Sequence, residues 1–230
     1  MKSEMDKVPV ITIDGPSGTG KGTVSAYLAD CLGWHMLDSG ALYRVLAHAA
    51  LTRKVPLDNG TELASLAVAL DVRFERPQDG NDSVIILNKE DVSEVIRTEE
   101  CGGAASQIAV LEIVRTALLQ RQRDFRRLPG LIADGRDMGT VVFPTAEVKV
   151  FLTASPEERA KRRYKQLKQK GISVNLLRLS ADIAARDVRD RERTISPLKP
   201  AKDAIVIDST NLDVDAVNCQ VSELARKLLL

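Results

Sequence analysis

The apolar positions of this 230-residue chain fall into two recurring patterns. Short apolar, β-branched runs bounded by turn residues read as buried strands, and apolar positions spaced three or four apart read as amphipathic helices. Val10, Ile11 and Ile13 open the first strand, with the composition of a strand buried on both faces. Val24, Leu28, Cys31 and Leu32 then predict a helix over Lys21 to Leu32, stopped by Gly33, with Cys31 in the core. A short strand at Trp34 to Leu37 leads to a helix over Ala41 to Ala50, whose apolar face is Leu42, Val45, Leu46 and Ala49 and whose cap is Ser39. Leu63 to Leu70 is a short helical run. Val72 to Glu75 and Val84 to Leu87, separated by the turn-rich Pro77 to Ser83, read as strands, and Asp91 to Arg97 as a third. Ile108, Leu111, Val114, Leu118 and Phe125 predict one long helix from Gly103 to Arg127, ended by Leu128-Pro129-Gly130. Strands at Leu131 to Asp134, Val148 to Leu152 and Ala204 to Ile207 follow, and a last helix, Asp213 to Leu230, packs through Val217, Val221, Leu224 and Leu228.

Strands alternating with helices imply right-handed crossovers and an α/β fold. The expected architecture is a five-stranded parallel sheet with helices on both faces, carrying a small antiparallel insert at about 72–97.

Composition narrows this picture little. Hydrophobic content of 44% and charged content of 28% are those of an ordinary globular protein. A net charge of +1 argues against bulk attraction to nucleic acid or a membrane surface. Aromatic content of 3% is too low for a base-stacking platform. Cys31, Cys101 and Cys219 form no C-x-x-C and fit free thiols in a reducing compartment. His35 and His48 lack partners at metal-ligand spacing, so no residue is assigned as a direct metal ligand. The opening MKSEMDK has no signal-peptide core, and no run reaches the ~18 apolar residues that span a bilayer. The expectation is a cytoplasmic monomer that binds neither nucleic acid nor membrane.

The candidate chemistry begins at the end of the first strand. Gly15-Pro16-Ser17-Gly18-Thr19-Gly20-Lys21-Gly22-Thr23 fits G-x-x-x-x-G-K between a strand and a helix. Such a loop turns several N–H groups inward, the next helix begins with its positive end there, and Lys21 adds a mobile charge. Together they cradle a polyphosphate. The Ser or Thr expected directly after the lysine is replaced by Gly22, with Thr23 behind it. Asp38 and Ser39 either cap the next helix or, with Arg44, face a second ligand. Arg121, Arg123, Arg126 and Arg127 read as a solvated face rather than a binding site. Asp134-Gly135-Arg136-Asp137 leaves the carboxyl end of a strand, where open α/β sheets bind ligands.

Ser155-Pro156-Glu157-Glu158 has the signature of a helix start, and Gly171 breaks the helix it begins. That helix carries Arg159, Lys161, Arg162, Arg163 and Lys165. On a second helix, Leu177 to Arg193, the spacing of Arg186, Asp190 and Arg193 puts all three on one face. Either these helices are a salt-bridged surface, or they form a mobile lid hinged at Gly171 whose arginines close over phosphates.

The segments GPSGTGKGT, LDSGALYR, ASQIA followed by VRTALL, IADGRDMGTVVFP and RDVRDRERTISPL together resemble the cytidylate kinase family of nucleoside monophosphate kinases, over nearly the whole chain. The resemblance implies transfer of a phosphoryl group from ATP, with Mg²⁺, to CMP or dCMP. It implies that Gly15 to Thr23 bind the ATP phosphates, with Lys21 bridging donor and transferred group. Arg44, Arg136 and Arg193 would hold the CMP phosphate, alongside Ser39. Ser106, Arg115 and Asp137 would read the cytosine, and Arg186 and Asp190 would contact the ribose. Lys21, Arg136, Arg186 and Arg193 are the catalytic candidates. Residues 1–38, 101–155 and 194–230 would form the core, 39–100 the monophosphate-binding region and 156–193 the lid. Asp134 either positions Mg²⁺ through water or caps a turn. The alternatives are a P-loop kinase with another small acceptor, such as another nucleotide or a shikimate-like molecule, and a nucleotide-dependent binding protein without transfer activity.

Overall fold

A computed structural model describes residues 8–75 and 84–229. The expected Pro77 to Ser83 turn and the MKSEMDK opening lie outside the described residues, as does the side chain of Leu228. The chain divides into two compact units, one made of the chain up to Asp38 together with Gln122 onward, the other of Ser39–Arg121.

The first unit holds the parallel sheet. Its strands are β1 (Val10–Asp14), β2 (His35–Asp38), β6 (Leu131–Gly135), β7 (Val148–Thr153) and β8 (Ile205–Asp208), ordered β2-β6-β1-β7-β8. Every pairing is parallel. β1 lies in the middle and all five of its residues are buried, which is why they are β-branched or small. Ile11 and Ile13 pack against α1 (Lys21–Leu32) and α8 (Val214–Leu229) through Val24, Leu28, Val217 and Val221. Each such fully buried side chain stabilises the fold by roughly 1.5–3 kcal/mol. Because β1 is flanked by β6 and β7, the strand order reverses at β1, and the crevice beyond its carboxyl end is where this topology binds ligands.

Gly33 ends α1 in the left-handed conformation at φ 64°. Cys31 is exposed, not in the core. The buried stripe of α1 runs through Lys21, Val24, Ser25, Leu28 and Ala29, and Cys31 falls beside it.

The second unit contains α2 (Ser39–Thr52), α3 (Gly60–Ala69), the antiparallel strands β3 (Val72–Glu75), β4 (Val84–Leu87) and β5 (Glu90–Asp91), and α4 (Glu99–Ile108). Its core is built from Leu46, Leu63, Ile85, Leu87, Ile96, Ile108 and Leu118. α2 begins at Ser39 itself, so Ser39 is the first helical residue rather than a cap outside the helix. The third strand is shorter than expected. The Asp91 carboxylate accepts from both the N–H and the hydroxyl of Ser93, an Asx turn that ends β5, and Val95–Arg97 winds into a single tight helical turn.

The expected long helix is two helices, α4 and α5 (Glu112–Arg123), bent by 104° at the break. Thr98 caps α4 by accepting from Cys101 N–H. At the other end the Arg115 guanidinium donates to the Ala109 carbonyl at 3.1 Å, taking an acceptor that a continuing helix would have used. No single helix among the described residues is long and apolar enough to cross a membrane.

The basic cluster is partly solvated, with Arg123 and Arg127 exposed, and its guanidinium groups also bond the backbone. Arg121 donates to the Leu70 carbonyl at 2.9 Å, Arg123 to Val142 at 3.2 Å and Arg126 to Val8 at 2.7 Å, so each guanidinium ties down a backbone turn. Arg127 bonds locally, to the Asp124 carbonyl.

In the first unit, Ser155 caps α6 (Pro156–Gln169) by accepting from Glu158 N–H, and Asn175 caps α7 (Leu176–Glu192) likewise from Arg178 N–H. Gly171, at φ 74°, makes the left-handed turn between them. The two helices share a small core of Ala160, Leu167, Leu179 and Ile183. Arg159 is wholly buried. It forms a bidentate ion pair with Asp187 of α7, and it donates to the Ala154 carbonyl at 3.0 Å and the Ser17 carbonyl at 3.1 Å. Arg159 is therefore a tie, not a lid arginine reaching for phosphate, and any displacement of this segment carries both helices together.

Removing one partner of a buried pair leaves an uncompensated charge, at about 3–5 kcal/mol. Arg159→Met and Asp187→Leu should each lower the unfolding free energy by that order in guanidinium denaturation. The double variant should recover part of the loss. Single losses below about 1 kcal/mol would contradict this account of the pair.

Candidate active site

The glycine loop after β1 is shaped by contacts that exclude side chains. Gly15 sits at φ 150°, and a Cβ there would lie 1.9 Å from the Leu152 carbonyl oxygen of β7. Gly18, at φ 81°, rests against Arg159. Gly20, at φ 93°, is the left-handed residue from which α1 springs, and no side chain caps that helix. The leading N–H groups of α1 thus face a concave loop with no side-chain acceptor of their own, the arrangement that binds anions. The side chains of Lys21 and Thr19 both donate to the Pro16 carbonyl, at 2.8 and 3.2 Å.

Buried charges surround Lys21. Burial is the main force lowering its ammonium, to about 7; Arg136 and Arg186 push the same way and Asp134 and Asp14 oppose them. Burial likewise raises Asp134 to about 7, with Asp38 and Asp14 adding to the rise and Lys21 and Arg136 resisting it. Asp14, the last residue of β1, is raised by burial to about 6, although it accepts 2.8 Å hydrogen bonds from both Met138 N–H and Gly139 N–H. Gly22 has no side chain beside Asp134; a Cβ there would stand 3.6 Å from the Asp134 carboxylate.

The loop after β6 brings the next group in. Arg136 donates to the Asp190 carboxylate of α7 at 2.9 Å. Arg193 lies 3.9 Å from Asp137. Burial alone would raise Asp190, but Arg136, Arg186 and Arg193 hold it below the usual carboxylate range. Arg193 is one residue past the end of α7, and its guanidinium also donates to the Ser196 carbonyl. Lys21, Arg136, Asp137, Arg186, Asp190 and Arg193, proposed from scattered motifs, therefore meet in one unit.

Ser39, Arg44, Ser106 and Arg115 belong to the second unit. Arg44 of α2 donates to the Ile96 carbonyl at 2.9 Å, and Gly102 of α4 leaves room against its guanidinium. Arg115 stacks its guanidinium 5.7 Å from the centre of the Tyr43 ring. Ser39 and Ser106 are buried. Ser106 and Arg115 stand on either side of the α4–α5 break, which the single-helix expectation missed.

Three further residues escaped the sequence reading: Asp14, Asp187 and Tyr43. Asp14 left a signal, a carboxylate ending an otherwise apolar strand directly before Gly15. Asp187 and Tyr43 left none that distinguishes them from neighbouring polar positions.

The family model described as Cytidylate kinase matches residues 11–227. The chain is 62% identical over 210 residues to a cytidylate kinase of Stutzerimonas stutzeri, covering 91% of this chain and 92% of that one. It is 60% identical over 221 residues to a cytidylate kinase of Aeromonas hydrophila, covering 96% and 95%. A cytidylate kinase of Pseudomonas putida is 60% identical over 225 residues, covering 97% and 99%.

A Lys21 ammonium held down to about 7 is largely neutral at pH 8.5, and a bound polyanion favours its charged form. Binding of inorganic sulfate at pH 8.5, an anion with no proton of its own to release there, should therefore take up a proton. Calorimetry in two buffers of different ionisation heat should show this as a buffer-dependent enthalpy that Lys21→Met abolishes. An enthalpy independent of buffer in the parent protein would refute the lowered ammonium.

Proposed function

Because the chain belongs to the cytidylate kinase family, we propose that its buried cradle and the charges around it divide the work of phosphoryl transfer between two nucleotides. The enzyme moves the terminal phosphoryl group of ATP to CMP or dCMP, giving ADP and CDP or dCDP. The observation that carries the assignment of roles is the convergence of Lys21, Arg136, Arg186, Asp190 and Arg193 beyond the carboxyl ends of β1 and β6.

Phosphoryl transfer asks a protein mainly for alignment and for neutralisation of charge. In this reading Gly15 to Thr23 wrap the ATP phosphates with backbone N–H groups. Lys21 exchanges the Pro16 carbonyl for phosphate oxygens and regains its charge there. Arg136 and Arg193 hold the CMP phosphate through their planar forks, which donate to two oxygens at once. For the second unit taken by itself, the family resemblance implies acceptor-binding roles for Ser39 and Arg44 of α2 and for Ser106 and Arg115. Asp137 accepts from the cytosine amine. Arg186 and Asp190 contact the ribose, and Asp190 also keeps Arg136 oriented. Residues 156–193 serve as the lid region.

Mg²⁺ fits this donor set through Asp134. That carboxyl is buried and raised, as a carboxylate awaiting a cation is, and Gly22 leaves space next to it. Among the described residues no group of three or more His, Cys, Asp or Glu stands at metal-binding distance. A Mg²⁺ ion would thus take most of its ligands from phosphates and water. When bound, it neutralises charge on the transferred phosphates.

Turnover with ATP and Mg²⁺ should be highest with CMP and dCMP among CMP, dCMP, UMP, AMP and GMP, measured by coupled release of ADP. No turnover with any of the five would defeat the reading. Asp137→Ala should cost the preference for CMP over UMP about 5- to 100-fold, the equivalent of one unpaired buried polar group, while ATP binding changes little. Asp190→Ala or Arg186→Ala should mainly raise KM for CMP, and an unchanged KM would remove those residues from the acceptor site.

A further inference from the structure

We propose that Asp14 is a positioning residue for the acceptor nucleotide, because its carboxylate fixes the Arg136-Asp137 segment to the start of the phosphate cradle. This rests on the reading that Arg136 and Asp137 hold CMP. The two carboxylate oxygens take separate jobs: Oδ1 accepts from Met138 N–H and Oδ2 from Gly139 N–H, each at 2.8 Å. These are the first N–H groups of a π-helical turn, Met138–Val142, and leading N–H groups of a helical turn have no partner within it. The other end of that turn closes on Asp137, whose carbonyl accepts from Val141 and Val142 at 2.9 and 3.2 Å. Asp137 itself stands at φ −148°, ψ 25°, immediately before the turn. Its direction is therefore set by a turn that Asp14 clamps.

Three features show that the clamp is built rather than incidental. First, the β1–β6 ladder ends with Asp14 opposite Gly135, so beyond that point it is a side chain that joins the two strand ends. Second, Gly139 presses close to β1. A Cβ there would meet the Thr12 hydroxyl at 2.9 Å and the Lys149 side chain at 3.2 Å, so the short contact to Asp14 depends on a bare backbone. Third, Asp14 precedes Gly15, whose backbone is wedged against the Leu152 carbonyl. The clamp is thus anchored to the cradle on one side and to the acceptor loop on the other.

An ionised carboxylate is required for this geometry. It offers acceptors only, one to each N–H. An asparagine of the same shape would turn its NH₂ toward one of the two donors and release it. Burial opposes the charge, and the two backbone N–H groups favour it.

The test is steady-state kinetics of Asp14→Asn with CMP, UMP and ATP, beside Asp137→Ala and thermal unfolding of each. Misplacement of a substrate-holding group by about 1 Å costs up to about 100-fold. Asp14→Asn should raise KM for CMP by about 10-fold or more and lower the CMP over UMP preference, while KM for ATP stays within about twofold. Gly139→Ala, whose methyl would push the same turn away from Thr12 and Lys149, should give the same split and serves if Asp14→Asn does not fold. An unchanged KM for CMP, or equal losses for CMP and ATP accompanied only by a lower Tm, overturns the proposal. If Asp137→Ala alters the preference and neither Asp14→Asn nor Gly139→Ala does, this inference alone fails. If Asp137→Ala also has no effect, the acceptor role of Asp137 fails and takes the inference with it.

Discussion

The charges buried at the carboxyl ends of β1 and β6 are the constraint on which the rest of this unit depends. A lysine and several arginines are kept out of water against Asp14, Asp134, Asp137 and Asp190. Without ligand the balance is poor: the ammonium of Lys21 is pushed down and the carboxyls of Asp14 and Asp134 are pushed up. Asp190, surrounded by guanidinium groups, is held below the usual carboxylate range. A site so arranged gains from the arrival of a polyanion beside Lys21, because the ammonium then recovers its charge. Ligand charge completes the electrostatics that the fold leaves unfinished, and catalysis of phosphoryl transfer needs that preorganised charge more than it needs a nucleophile or base.

The sheet makes this arrangement possible by supplying a rigid edge. Parallel β1, β6 and β7 end side by side, and their following loops are held by contacts that tolerate no extra atoms, such as Gly15 on Leu152 and Gly139 on Thr12. Behind them Arg159 joins α6, α7 and the Ser17 carbonyl of the cradle through one buried guanidinium. The helix that carries Arg186 and Asp190 is in this way tied to the loop that carries Lys21. Site and scaffold share the same currency of buried, paired charge.

Much of this was legible in the chain because it rests on local rules. Strand positions followed from β-branched runs, helix ends from Ser155, Gly33 and Gly171, and the cradle from glycine spacing. What escaped was set by long-range partners. The α4–α5 break depends on Arg115 reaching back to Ala109, and periodicity continues smoothly through it. Arginine was the hardest residue to read. Arg126 ties the Val8 carbonyl and Arg159 fills the interior between helices, whereas Arg136 pairs with Asp190 of α7 and Arg193 lies beside Asp137. All carry the same side chain in similarly basic stretches, and only the identity of the partner, a carbonyl, a structural carboxylate or a site carboxylate, separates a staple from a ligand group. Asp14 shows the converse: its neighbours in sequence announced it, but its partners, Met138 and Gly139, lie far along the chain.

The departure at Gly22 can be understood in these terms. In the usual motif a hydroxyl after the lysine contributes an oxygen to the metal. Here that side chain is missing, and the space it would enter borders the Asp134 carboxylate. A Cβ alone would fit at 3.6 Å, but a hydroxyl beyond it would have to share the volume next to a buried carboxyl that already lacks solvation. Keeping position 22 bare leaves Asp134 open toward the cradle and leaves Lys21 as the charged side chain of the loop itself. The carboxylate that borders position 22 belongs to the neighbouring strand β6, the same strand whose next residues are Arg136 and Asp137. The clamp between β1 and the turn after β6 acts on the residues that follow this strand end, Arg136 and Asp137, and leaves the cradle itself to its own backbone contacts.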